Sequence, residues 1–294
     1  MDALKGTGVA LVTPFKQNAE IDFDGLEKLV EHVIKGGVEY LVVLGTTGES
    51  VTLSPSEKAD VLNCVKQVNQ GRLPIVLGMG GNNTAALIQQ AREVNLEGVS
   101  GLLSASPSYN KPTQEGIYQH FKAFAESTDK PIILYNVPGR TASNIQAATT
   151  LRLARDFENI IGIKEASADL DQVMAIIQDK PKDFLVISGE DGLTLPIVAS
   201  GGDGVISVVA NAYPKHFSEM VRLTAKADLE KARALHYKLK KFIDLLFKEG
   251  NPGGVKAALK HLGVCEAHLR LPLWPISTTL NNSIASQIKE IQQA

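Results

Sequence analysis

Short runs of apolar, largely β-branched residues alternate along the chain with longer stretches in which apolar positions recur every three or four residues. Eight runs stand out, at 8–13, 40–44, 75–77, 101–103, 132–135, 160–164, 184–187 and 204–207. This is the arrangement expected of parallel strands buried on both faces and covered by helices. Their starts lie roughly 20 to 35 residues apart, the length of a strand, loop and helix unit.

Between the first two runs, Phe23, Leu26, Leu29, Val30, Val33 and Ile34 share one helical face, and Gly36-Gly37 is a stop signal. Ser54-Pro55-Ser56-Glu57 predicts another helix start, since a Ser cap, an early Pro and an acid all suit exposed N–H groups. A third is expected from Asn144, after a turn at Val137-Pro138-Gly139. Beyond the eighth run only helices are predicted, with Leu229, Ala232, Leu235, Leu239, Phe242, Ile243 and Leu246 keeping a 3.6-residue period.

Eight units in about 210 residues suit a closed (β/α)8 TIM barrel better than an open doubly wound sheet of five or six strands. The expected fold is therefore α/β, with a barrel over 1–224 and a C-terminal helical extension over 225–294. No Pro/Ser/Gly-rich linker divides the chain. In such a barrel, function sits where strands end and βα loops begin.

Composition narrows the partners. The 294 residues carry 30 Lys+Arg against 32 Asp+Glu, a net charge of −2. A chain so balanced offers no basic field for nucleic acid or an anionic membrane surface, so any anionic ligand must be held by a local site. No window approaches the roughly 18 uninterrupted apolar residues of a spanning helix. Cys64 and Cys265 form no C-x-x-C pair, and Met1-Asp2-Ala3-Leu4-Lys5-Gly6 opens no secretory signal. A reducing, cytoplasmic compartment is expected. The six histidines are scattered with no H-E-x-x-H, so no metal site is expected.

The strand ends carry the candidate chemistry. Ile160-Ile161-Gly162-Ile163-Lys164 sets an ammonium at the end of an apolar strand. Burial disfavours the charged form of an amine, and a neutral amine can attack a carbonyl to form a Schiff base. Taken alone, a lysine leaving the strand and pairing with Glu165 is the commoner case. Leu134-Tyr135-Asn136-Val137-Pro138-Gly139-Arg140 offers a phenol able to shuttle a proton and a guanidinium able to grip a carboxylate. A packed Tyr and a surface Arg are the ordinary alternatives. Gly45-Thr46-Thr47-Gly48-Glu49-Ser50 combines turn glycines with two hydroxyls and can aim N–H groups at an anion, though such turns are ordinary in βα loops. Two prolines stiffen Ser106-Pro107-Ser108-Tyr109-Asn110-Lys111-Pro112 and present Tyr109 outward.

Two rival readings are weaker. Gly78-Met79-Gly80-Gly81-Asn82-Asn83 follows a strand as a dinucleotide turn would, but Asn83 stands where the third glycine belongs. No Walker loop occurs. A catalytically silent barrel acting as a binding module is the third possibility.

Taken together, G-T-T-G-E-S at 45–50, Y-N-V-P-G-R at 135–140 and G-I-K-E-A-S at 162–167 resemble the dihydrodipicolinate synthases. The resemblance extends from Gly8-Val9-Ala10-Leu11-Val12-Thr13-Pro14-Phe15 through Gly204-Val205-Ile206-Ser207-Val208, and so spans the whole barrel. It implies a class I aldolase that needs no cofactor and condenses pyruvate with L-aspartate 4-semialdehyde to 4-hydroxy-tetrahydrodipicolinate. By resemblance Lys164 is the Schiff-base lysine and Tyr135 the central proton-transfer residue. Thr46 and Thr47 supply the hydroxyl relay, and the amides of that turn bind the pyruvate carboxylate. Gly189 and Ile206 join Thr47 and Arg140 as substrate-binding positions. Tyr109 matches the tyrosine that completes the relay from a neighbouring subunit, which implies an active dimer and a homotetramer built as a dimer of dimers.

Related pyruvate-dependent aldolases, such as N-acetylneuraminate lyase and keto-deoxy-sugar-acid aldolases, share barrel and lysine. Arg140 favours the synthases, which resemble this chain in placing an arginine after the Y-N-V-P-G turn to hold the aspartate semialdehyde carboxylate. One region departs from the lysine-inhibited synthases: Pro55, Lys58, Ala86 and Ser108 stand where those resemble one another in histidine, glutamate and tyrosine. Only Ser50 and Asn82 remain of an allosteric pocket, so weak or absent inhibition by lysine is expected.

Overall fold

The eight apolar runs fold as eight parallel strands closed into one barrel: β1 (Gly6–Ala10), β2 (Tyr40–Val43), β3 (Ile75–Gly78), β4 (Gly101–Ala105), β5 (Ile132–Asn136), β6 (Ile160–Glu165), β7 (Leu185–Ser188) and β8 (Gly204–Ser207). The computed structural model describes residues 2–293. Closure is made by β1 against β8, with Gly6 opposite Gly204 and Val9 opposite Ser207. Alternate side chains of each strand face inward and outward. Tyr40, Val42, Val76, Ile133 and Ile187 fill the barrel, and Val9, Leu41, Val43, Leu134 and Val186 pack against the helices. Tyr40 is fully buried and donates its hydroxyl to the Val205 carbonyl. A methyl at Gly8 would sit 2.1 Å from its ring, so the barrel interior accepts a tyrosine there only opposite glycine.

Helix α1 (Phe23–Lys35) begins where the Asp22 carboxylate accepts from the Gly25 amide and ends at Gly36. At α2 (Pro55–Asn69), Ser54 and Glu57 form a complete capping box. The remaining helices of the barrel are α3 (Thr84–Glu93), α4 (Gln114–Ala125), α5 (Pro138–Thr141), α6 (Ala147–Asp156), α7 (Leu170–Asp179), α8 (Thr194–Ala199) and α9 (Pro214–Ala225).

Two boundaries differ by three residues from the sequence reading, the others by two at most. The first strand ends at Ala10, because side chains replace the ladder: Val12 donates its amide to Asn211 Oδ1, and Thr13 Oγ1 donates to the Gly48 carbonyl. The helix expected from Asn144 starts at Ala147, and Val137-Pro138-Gly139 leads into the short α5. Asn144 is engaged elsewhere, its Oδ1 accepting from Asn136 Nδ2 at 2.7 Å and its Nδ2 donating to Gln172.

The last three helices, α10 (Leu229–Phe247), α11 (Gly253–His261) and α12 (Thr278–Gln293), pack on one another and return to the barrel. Lys256 on α11 has no exposed surface and pairs with the equally buried Glu49, donating also to the His268 carbonyl. Arg270 forks onto Glu57 and caps the Ala19 and Thr52 carbonyls. Both cations stand over the Phe15 ring. Among the described residues no helix is long and apolar enough to cross a membrane, and no group of His, Cys, Asp and Glu could hold a metal.

Candidate active site

Strand register decides which chemistry faces inward. Between β5 and β6 the pairing slips at the start, Ile132 lying opposite Ile160 but Ile133 opposite Gly162. Ile160 packs on the outer face and Ile161 inside the barrel. Strict alternation from Ile160 would turn residue 164 outward; the extra residue flips the remainder of the strand and brings Lys164 into the barrel. Tyr135 lies directly opposite it, and Lys164 Nζ stands 4.3 Å from the phenol centroid. Both side chains are buried, at 6% and 8% exposure.

The outward neighbours fix this arrangement. Asn136 is paired with Glu165 and donates Nδ2 to both of its carboxylate oxygens, which also accept from Gln172 Nε2 and the Ser167 amide. Burial raises the Glu165 carboxyl above the usual range, while those donors pull it back.

Lys164 and Tyr135 open into a cavity of about 290 Å³ at the C-terminal end of the strands, where barrel enzymes hold their sites. Thr47, Thr46, Arg140, Gly189 and Ser50 share its walls. Thr47 is 4% exposed and accepts from Asn251 Nδ2 at 3.0 Å. It lies in a short 3-10 turn (Thr46–Gly48) in which the Gly48 amide donates to the Gly45 carbonyl, while the Thr46 and Thr47 amides make no backbone bond among the described residues. Thr46 lies on the exposed rim and Arg140 at the mouth. At Gly189 an added methyl would meet the Ala166 methyl at 2.6 Å and Lys164 Cε at 3.1 Å, so the lysine tip needs glycine beside it.

Three positions lie outside this cavity: Ile206, expected to bind substrate, Tyr109, expected to serve a neighbouring subunit, and Asn82, expected in the allosteric pocket. The Ile206 side chain, expected to bind substrate, instead fills the barrel interior at mid-strand, and Val208, two residues on, is the one at the wall. Tyr109 is 93% exposed, with φ of 66°. Asn82 is exposed and spent locally, its amide bonding the Ser108 backbone on both sides.

Two wall residues escaped the sequence reading. Asn251 precedes α11, 204 positions from its partner Thr47, and nothing local marks it. Glu190 follows Gly189 at a strand end, the one signal that pointed to it. Burial and the neighbouring Asp191 raise its carboxyl, against the pull of Lys164 and Arg140. Asp191 itself is fully buried and likewise raised by burial, although it accepts from the Val208 and Val209 amides.

A family model described as the dihydrodipicolinate synthetase family matches residues 3–291. A 4-hydroxy-tetrahydrodipicolinate synthase of Flavobacterium psychrophilum is 55% identical over the whole of both chains. The crystal structure of a dihydrodipicolinate synthase from Thermotoga maritima superposes with a TM-score of 0.96 at 42% identity, covering 99% of each chain. A chloride-inhibited dihydrodipicolinate synthase from Acinetobacter baumannii, crystallised with pyruvate, gives 0.95 at 39% identity over 98% of this chain and 99% of that one.

Proposed function

The chain belongs to the dihydrodipicolinate synthetase family, and from that footing we propose how its cavity carries out the family's reaction. The protein is a carbon–carbon bond-forming lyase that condenses pyruvate with L-aspartate 4-semialdehyde to 4-hydroxy-tetrahydrodipicolinate, a step of lysine and diaminopimelate biosynthesis. Its relatives support this activity over the other pyruvate aldolases that share the barrel.

The supporting observation is the placement of one buried lysine against one buried tyrosine inside a cavity that also holds a threonine turn and an arginine. In our reading, neutral Lys164 adds to the pyruvate ketone and water leaves, giving an iminium that withdraws electrons from the adjacent methyl. Tyr135 and the Thr47 hydroxyl move protons as the methyl becomes an enamine carbon. The Thr46 and Thr47 amides of that turn hold the pyruvate carboxylate. Arg140 grips the carboxylate of the semialdehyde, whose aldehyde the enamine attacks. The substrate amine then displaces Lys164, and the ring closes. Holding two small molecules in one cavity removes an orientational cost of several kcal/mol.

Incubation with pyruvate and borohydride, followed by peptide mapping, tests the reading. A reduced pyruvyl group on the peptide bearing Lys164 is expected; unmodified protein overturns it.

We assign the working assembly as a homotetramer, a dimer of dimers acting in the cytoplasm. An almost fully exposed Tyr109 held in left-handed backbone, with Val51 equally exposed, supports a covered face there. Tyr109 would then complete the proton relay of its neighbour. Light scattering on the purified protein checks the assembly, and a monomer at working concentration excludes it.

A further inference from the structure

The cavity walls carry three cationic side chains, Lys58, Arg140 and Lys164. Among the described residues Glu190 is the one acidic side chain lining the cavity. Its backbone is firmly held: the amide donates to Ser188 Oγ, and the carbonyl accepts from Ser188 Oγ and Thr194 Oγ1. Its carboxylate, in contrast, has no hydrogen bond or ion pair to any described residue. Such a part-buried, unpartnered acid costs free energy unless a ligand completes it. The reaction described above leaves it unused.

Position makes the group useful. Gly189 lies so close to Lys164 that a methyl there would come within 3.1 Å of Cε, and Glu190 is the next residue along. The charges of both Lys164 and Arg140 are felt at its carboxyl. The second substrate is an amino acid, so its carboxylate and ammonium are borne on one carbon. A guanidinium and an unpaired carboxylate in one cavity match that pair of opposite charges. Once Lys164 is consumed as an iminium, the incoming ammonium is the group that must still lose a proton before it can act as a nucleophile.

We propose that Glu190 binds the ammonium of the second substrate beside Arg140 and takes the proton that frees it to displace Lys164. This rests on the reaction assigned above and adds a residue to its final exchange. Glu190 accepts one proton from the ammonium, and the freed lone pair forms a C–N bond to the iminium carbon. A proton then passes from the incoming nitrogen to Nζ, the C–Nζ bond breaks, and Lys164 leaves as a neutral amine. The proton held by Glu190 goes to water. Burial and Asp191 raise the Glu190 carboxyl, which suits it to accept from an amine.

Glu190→Gln tests the assignment, because the amide keeps size and polarity but cannot take a proton. The pyruvate–borohydride adduct at Lys164 is expected to form normally in it. For aspartate semialdehyde, KM rises and kcat falls, each on the order of tenfold, and the acid limb of the kcat/KM profile disappears. Inhibition by succinic semialdehyde, the same aldehyde without the amine, is expected to stay unchanged, and Glu190→Asp recovers part of the activity. Unaltered kinetics in Glu190→Gln, or an equal loss for both aldehydes beside a normal adduct, overturns the Glu190 role alone. Absence of the adduct in the unsubstituted protein removes the underlying reaction as well.

Discussion

Tyr135 and Lys164 are direct register partners on adjacent parallel strands, and the amine stands 4.3 Å from the centre of the phenol ring. The ring packs against the amine, while its hydroxyl is the group a proton relay requires. Tyr135→Phe separates the two roles: the ring remains and the hydroxyl goes. The pyruvate adduct at Lys164 is expected to form still, while kcat falls by roughly 10²- to 10⁴-fold. Steady-state assays beside borohydride trapping read both; unchanged kcat would remove Tyr135 from proton transfer.

Arg140 is exposed and lines the cavity mouth, where the proposed reaction places the carboxylate of the second substrate. Loss of a charge-assisted, two-pronged contact costs about 1.5 to 3 kcal/mol, so Arg140→Ala is expected to raise KM for aspartate semialdehyde roughly 10- to 150-fold. Pyruvate trapping stays intact. Arg140→Lys recovers only a fraction, because an ammonium cannot match both carboxylate oxygens in a plane.

The pair Lys256–Glu49 joins α11 to the turn that carries Thr47. Burial pushes the Lys256 ammonium below the ordinary amine range, with the Glu49 charge pulling the other way. Replacing one partner leaves a buried charge alone, so Lys256→Met is expected to cost about 3 to 5 kcal/mol in denaturant unfolding. Lys256→Met with Glu49→Gln is expected to cost less than the single change. A larger loss in the double variant would show that the pair is not the cause.

Glu57 is held at a pKa of about 2, chiefly by its hydrogen bonds from Arg270, against an unperturbed 4.5. The folded value is the lower one, so the ionised form binds better in the folded chain. Its stabilisation is complete above about pH 5 and is lost as the pH falls towards 2. Thermal melts across that window are expected to fall more steeply for the unsubstituted protein than for Glu57→Gln. Parallel slopes would contradict the linkage.

Inhibition by free lysine is expected to be weak or absent. Lys58 lines the cavity near Ser50, Ala86 is an exposed methyl on α3, and Asn82 is already bonded to Ser108. An ammonium near Lys58 meets a like charge. Saturable inhibition in initial-rate assays with added lysine would disprove this.

Much was legible in the chain because its signals are local. Parallel strands buried on both faces must be continuously apolar, so all eight appeared as runs, and Ser54 and Glu57 announced their helix through a contact three residues apart. Lys164 and Tyr135 end apolar runs, and Thr47 and Arg140 follow such ends within a few residues, but the runs alone favoured ordinary packing, and their roles came from the resemblance of the three motifs. The boundary at Asn144 failed because its side chain bonds residues on β5 and α7, contacts that no local pattern reports.

Sequence alone determined the strand count, the helical extension and the identity of the chemical groups at the strand ends, since burial and capping act between near neighbours in the chain. Tertiary structure alone decided which way those groups face. A slip at Ile161 turns Lys164 inward, Asn251 reaches Thr47 across 204 residues, and the Glu190 carboxylate is left without a partner among the described residues in the cavity of Lys164 and Arg140. Closing a barrel brings distant segments into contact, and a one-residue change of register reverses every side chain after it; neither effect leaves a mark on composition or periodicity.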